Sequence, residues 1–148
     1  MPRLLDARTS QNASFQQSIS TPISLVPVLF GQVGLDCVNP GGIIRVQFTL
    51  TATISFPGSG VTNMPILFHV VRGTLISDPV VFSANLTVPA TAPGAGPLII
   101  PMTATGSDYN VPAPLNNQLT YSAFISSSST LPSRVGPESF NAAAYSDF

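Results

Sequence analysis

The sequence predicts an all-β protein, an antiparallel β-sandwich of jelly-roll type with eight or nine strands. Apolar and polar residues alternate with a period of two along most of the chain, which puts one face of each segment into a core. Such segments recur at intervals of about 10–15 residues between Pro- and Gly-rich turns, with no helical period between them. The longest of them, residues 43–56, anchors the rest. Ile44, Val46, Phe48, Leu50, Ala52, Ile54 and Phe56 alternate there with Arg45, Gln47, Thr49, Thr51, Thr53 and Ser55. At about 3.3 Å per residue this run spans about 40 Å, longer than most strands, so a bend or bulge is expected within it.

In chain order, residues 1–18 are polar and poor in β-formers, and read as a flexible or donor arm ahead of a single domain over residues 19–148. Ile19, Thr21, Ile23 and Leu25 then alternate with Ser20, Pro22 and Ser24, but Pro22 and Pro27 restrict this stretch to an edge or a bent strand. Val33, Leu35 and Cys37 form the next alternation, and Asn39-Pro40-Gly41-Gly42 is a tight turn feeding the long strand. A turn follows over 57–60. Residues 64–72 are nearly continuously apolar, as in a strand buried on both sides or at a subunit contact. Gly73 turns the chain towards Val80, Phe82, Ala84, Leu86 and Val88, which form one face of the next strand. Residues 89–97 read as a loop, Leu98 to Ala104 as a strand, and 106–114 as a second loop. Leu119, Tyr121, Ala123 and Ile125 mark a further strand, and 126–133 a hydroxyl-rich turn. Phe140, Ala142 and Ala144 mark the last strand, before Tyr145 and Phe148.

Composition narrows the function classes. The 148 residues suffice for one domain with a proper core. Charged residues make up 7% of them, against about 25% in an ordinary soluble domain. Lys is absent. A net charge of −1 gives no electrostatic reason to bind nucleic acid or an anionic membrane. Every apolar run is interrupted well short of a membrane-spanning length, so no membrane insertion is expected. The N-terminus lacks the apolar core of a signal peptide, which implies release into the cytoplasm of the producing cell. Strand edges without Lys gatekeepers invite strand addition, and the expected partner is therefore a second copy of the chain. The single Cys37 cannot form an internal disulfide; its neighbours Leu35 and Val38 favour a buried thiol over an intermolecular link.

Catalytic chemistry finds little support. His69, the one histidine, sits inside an apolar strand and reads as a satisfied strand residue rather than a base. Asp36, Asp78 and Asp108 share no metal-ligand spacing, and only convergence at one end of the sandwich would make them a Ca²⁺ site. Neither a nucleophile elbow nor a phosphate loop is present. No cofactor and no enzymatic activity are expected. Arg45 and Arg72 lie on the two most strand-like segments, with Asp36 or Glu138 as expected ion-pair partners. A glycan-binding sandwich is the alternative class. Against it, Trp is absent, and Tyr109, Tyr121 and Tyr145 do not form a row on one strand.

Three segments together carry a resemblance: the Asn39-Pro40-Gly41-Gly42 turn, the run Ile66-Leu67-Phe68-His69-Val70-Val71-Arg72-Gly73, and Val135-Gly136-Pro137-Glu138-Ser139-Phe140. In this order they resemble small jelly-roll proteins of the spore surface of Bacillus-like bacteria, over roughly residues 23–146. The resemblance implies a self-assembling subunit of a spore-surface fibre (an endospore appendage) or of the exosporium layer. It further implies synthesis in the mother cell and possible contacts with other spore-surface proteins. The collagen-like stretch of stalked tip proteins and the paired N-terminal cysteines of disulfide-linked appendage pilins are both missing. On this reading the N-terminal arm joins copies by strand addition, anchored by Phe15, Ile19, Ile23 and Leu25.

Overall fold

The computed structural model describes residues 1–58, 63–90, 92, 94 and 96–147. Parts of the expected 57–60 turn and 89–97 loop, and Phe148, lie outside that set. The described residues form nine strands and no helix: β1 (Arg3–Ala13), β2 (Thr21–Pro22), β3 (Val28–Asp36), β4 (Ile44–Phe56), β5 (Met64–Arg72), β6 (Val80–Val88), β7 (Leu98–Val111), β8 (Gln118–Ser127) and β9 (Ser133–Ser146). One sheet runs β1-β9-β4-β7, with the two-residue β2 added beside β9; the other runs β3-β8-β5-β6. All the pairings are antiparallel. Apart from the β5–β6 hairpin, successive long strands from β3 to β9 change sheets, so each sheet interleaves strands from both halves of the chain. That order is a jelly roll.

β4 organises the core as its alternation predicts. Its even residues from Ile44 to Phe56 are all buried, and its odd residues from Arg45 to Thr51 point outward. Opposite them the other sheet supplies Met64, Ile66, Phe68 and Val70 from β5 and Leu119, Tyr121, Ala123 and Ile125 from β8. Phe48 is the hub, with ring centroids 5.5 Å from Phe82, 6.2 Å from Phe140 and 6.3 Å from Tyr121. Burying one such ring stabilises the fold by about 1.5–3 kcal/mol. The expected irregularity is present twice: β4 slips register against β7 between Ile44 and Val46, and against β9 between Ala52 and Ile54.

Three expectations fail. The N-terminal arm is not an arm. Residues 3–13 are β1, paired with β9 of the same chain from Arg3↔Ser146 to Ala13↔Glu138. An edge strand is held by main-chain pairing and needs few apolar anchors; here only Leu5 packs on the core and Ala13 is buried. The boundary at residue 18 therefore separates nothing, because both sides of it add to one sheet. Residues 19–25 contribute only the short β2, tied to β9 at Arg134 and Ser133. Finally, residues 106–111 are strand rather than loop. Gly106 looks like a breaker, yet a Cβ there would lie 2.5 Å from the Phe82 ring and 2.6 Å from the Phe48 ring. It is a strand glycine that makes room for two aromatic side chains.

Candidate functional site

The eleven charged side chains, five basic and six acidic, all serve internal contacts. Arg72 on β5 grips Asp108 on β7 through two hydrogen bonds, Nε to Oδ2 at 2.8 Å and Nη2 to Oδ1 at 2.9 Å. Tyr121 of β8 donates its hydroxyl to the same carboxylate at 2.8 Å. This trio pins one sheet to the other. Burial, reinforced by Asp108, pushes the Tyr121 phenol well above its ordinary range, and the hydrogen bond to Asp108 raises Arg72 further. Arg134 and Asn12 both donate to Glu138, which is fully buried, and this locks β1 to β9. Arg45 meets Asp147 at 2.6 Å, and Arg3 donates to the Asn39 carbonyl at 2.6 Å. Asp78 accepts from the amides of Thr74 and Leu75 and closes its own turn. The expected partners of Arg45 and Arg72, Asp36 and Glu138, are thus engaged elsewhere.

The anchors expected for assembly are scattered. Phe15 and Leu25 are exposed, Ile19 is half-buried, and Ile23 is fully buried in the chain's own core. The chain turns at Phe15–Ser18, where Gln17 has φ 55° and the Ser18 amide donates to the Phe15 carbonyl. A straight segment with these four side chains on one side does not exist. Nor do Asp36, Asp78 and Asp108 converge: among the described residues no three His, Cys, Asp or Glu side chains group as a metal site. His69 is not the satisfied histidine expected, since its buried Nδ1 meets no hydrogen-bond partner. Cys37 is fully buried, as its neighbours predict, and burial pushes its thiol up to about 11.

Two surfaces remain with chemistry of their own. One is the edge strand β6, whose nine residues VVFSANLTV contain no charge, Pro or Gly. It is hydrogen-bonded to β5 and lies at the end of its sheet, with Val80 and Leu86 exposed among Ser83, Asn85 and Thr87. Uncharged edges of this kind template strand pairing. At the other end of the same sheet, Leu25, Val26, Val28 and Leu29 are exposed in near succession. Leu29 there borders a groove of about 330 Å³ between β1 and β3.

The second surface is the outer face of the β1-β9-β4-β7 sheet. Gln47 lines three adjoining depressions there, of about 310, 470 and 260 Å³. The walls beside it include Arg8, Thr49 and Asn141, then Arg45, Ser107, Tyr109 and Asn110, then Tyr145 and Asp147. Tyr145 stands directly opposite Arg45 on β9. Tyr109 arrives from β7 through a bulge. Three steps on β7, from Asp108 to Val111, oppose two on β4, from Val46 to Ile44. Asn110 takes φ 61° within that bulge. The extra residue leaves Asp108 and Val111 buried and Tyr109 exposed. A search for a tyrosine row on one strand misses this site, because its rings come from two strands flanking a third.

No protein-family model and no curated protein matches the sequence. Among solved structures the chain is similar to a chain of the T13 particle of infectious bursal disease virus, at 12% identity and a TM-score of 0.47, covering 98% of this chain and 35% of that one. A chain of the Gx strain of the same virus matches at 11% identity and a TM-score of 0.43, with 98% and 32% covered. A chain of the naturally empty top component of cowpea mosaic virus matches at 12% identity and a TM-score of 0.34, with 99% and 86% covered. The protein spans about a third of the length of the bursal disease virus chains. The jelly-roll assignment rests on the strand order and takes nothing from these likenesses.

Proposed function

We propose that this protein is a structural subunit that assembles with copies of itself, and that β6 is its joint. The observation that supports this is the edge: nine uncharged residues, paired on one side, with apolar groups exposed. The internal engagement of every charged side chain supports it too, since little charge is left over to keep copies apart. Fold alone does not decide function, because jelly rolls serve as capsid shells, lectins and cupins alike. The joint replaces the donor arm, whose residues 3–13 are already paired within the chain.

Geometry sets how the contact propagates. A β6-to-β6 contact would close as a two-fold dimer, whereas contact between unlike surfaces extends into a ring, fibre or layer. The unlike surface is the exposed start of β3, at the opposite end of the same sheet, where Val28 and Leu29 lie. One sheet then continues from copy to copy. Its setting on a bacterial spore is supported by the three sequence segments around Asn39, Phe68 and Val135, and is proposed on that basis.

Light scattering and negative-stain microscopy test the joint. The wild type is expected to form large assemblies, and Ser83→Lys/Asn85→Lys to stay monomeric with an unchanged thermal midpoint, because both positions are exposed. Leu29→Lys is expected to be monomeric as well. Mixing the two variants should yield a heterodimer, since each keeps one intact surface. A wild type that remains monomeric at millimolar concentration overturns the proposal, and so does a β6 variant that assembles normally.

A further inference from the structure

We infer that the trough centred on Gln47 binds a neutral saccharide. Three depressions share Gln47 as a wall, so they adjoin one another across the outer face of β4. Its polar lining is mostly uncharged, the charged side chains on it being Arg8, Arg45 and Asp147. Gln47, Asn110 and Asn141 each offer a carbonyl acceptor and an NH₂ donor, and Thr49 and Ser107 offer hydroxyls. Paired donors and acceptors are what vicinal sugar hydroxyls require, since each hydroxyl both gives and accepts a hydrogen bond.

The charged groups point the same way. Arg45 is held by Asp147 at 2.6 Å, and Arg8 by Asp6 at 2.8 Å and Asp36 at 3.2 Å, so both charges are matched and no unbalanced cation faces the trough to draw a phosphate or sulfate. What remains is a fork of N–H donors beside carboxylate acceptors. Two tyrosines complete the chemistry. Tyr109, 74% exposed, and Tyr145 stand on the strands either side of Arg45. An aromatic face with a polar tip covers the apolar C–H face of a sugar ring while its hydroxyl stays wet. The β7 bulge turns Tyr109 to this position, and its small buried surface contributes little to the core. An extended peptide is a poorer fit, because peptides recruit main-chain hydrogen bonds at sheet edges and this trough lies in mid-face.

The inference stands apart from the proposed assembly, and its test separates the two. The chain has no Trp, so tyrosine emission comes from Tyr109, Tyr121 and Tyr145 alone. Purified wild type and the monomeric Ser83→Lys/Asn85→Lys variant are screened on a microarray of neutral, sulfated and phosphorylated oligosaccharides. The best neutral tetrasaccharide is then titrated by tyrosine fluorescence. Both proteins are expected to bind a neutral glycan. Tyr109→Ala and Gln47→Ala should each weaken binding by about tenfold or more while assembling as the wild type does. Four outcomes overturn the inference: no glycan bound by either protein, a preference for sulfated or phosphorylated glycans, full binding by Tyr109→Ala, or binding by the monomeric variant alone. The last would make this face a contact between copies. None of the four alters the test of the β6 joint.

Discussion

The two open sides of the sandwich are treated in opposite ways. On the β1/β3 side, side chains bridge the gap between the sheets. Asp6 of β1 accepts the Asp36 amide of β3 at 2.9 Å, and Ser10 accepts the Gln32 amide at 3.2 Å. Arg8 then links Asp6 at 2.8 Å and Asp36 at 3.2 Å. On the β6/β7 side no such bridge is recorded among the described residues, β6 carries no charge, and the one acid of β7, Asp108, points into the molecule. The difference teaches which stretches of an edge are left to pair. Side chains and charge occupy β3 from Gln32 to Asp36, so the exposed start of β3 at Val28 and Leu29 and the bare edge of β6 are what a second copy can use.

The largest expected effect comes from unlocking the closed side. Glu138 is fully buried and serves both Arg134 and Asn12. Glu138→Ala strands the Arg134 guanidinium and should cost about 3–5 kcal/mol, read from urea unfolding. A loss under about 1 kcal/mol would mean that the pair does not hold β1 in place.

A smaller effect is expected at Asp6, and it depends on pH. The Asp36 amide, then Arg8, holds the Asp6 carboxyl below its ordinary value of 3.8. A lowered folded value means that the unfolded chain binds the proton more readily. The stabilisation is therefore complete above pH 3.8 and is lost as pH falls through the folded value. Asp6→Ala should melt below the wild type at pH 7, and that gap should close on acidification. In the same variant the Asp36 amide should exchange faster with solvent, as the closed edge begins to resemble the open one. A gap that persists at low pH would sink the assignment.

The smallest effect is expected at Cys37, just beyond β3 on the closed side, where its amide donates to the Asn117 carbonyl at 2.7 Å. Cys37→Ala should leave assemblies of unchanged size, with or without reductant, because a buried thiol with a raised pKa is unreactive. Assemblies that dissolve on reduction would move a joint from β6 to this cysteine.

The alternation from Ile44 to Phe56 was enough to determine the inward face of β4, and together with the like alternations along the chain it determined the all-β class, because a period of two is written in neighbouring residues. The burial of Cys37 was legible for the same local reason. What lay outside its reach is non-local. β1 looked like a tail because an edge strand needs hydrogen-bond partners rather than apolar side chains, and its buried partner Glu138 lies 126 residues from Asn12. Gly106 looked like a breaker because the two rings that require it come from β4 and β6. The trough around Gln47 was invisible because its walls come from β4, β7 and β9, with Tyr109 turned into place by a bulge that only the pairing of β7 with β4 creates. Side-chain alternation belongs to the strand, but edges, bulges and faces belong to the sheet, and the sheet forms only when distant strands meet.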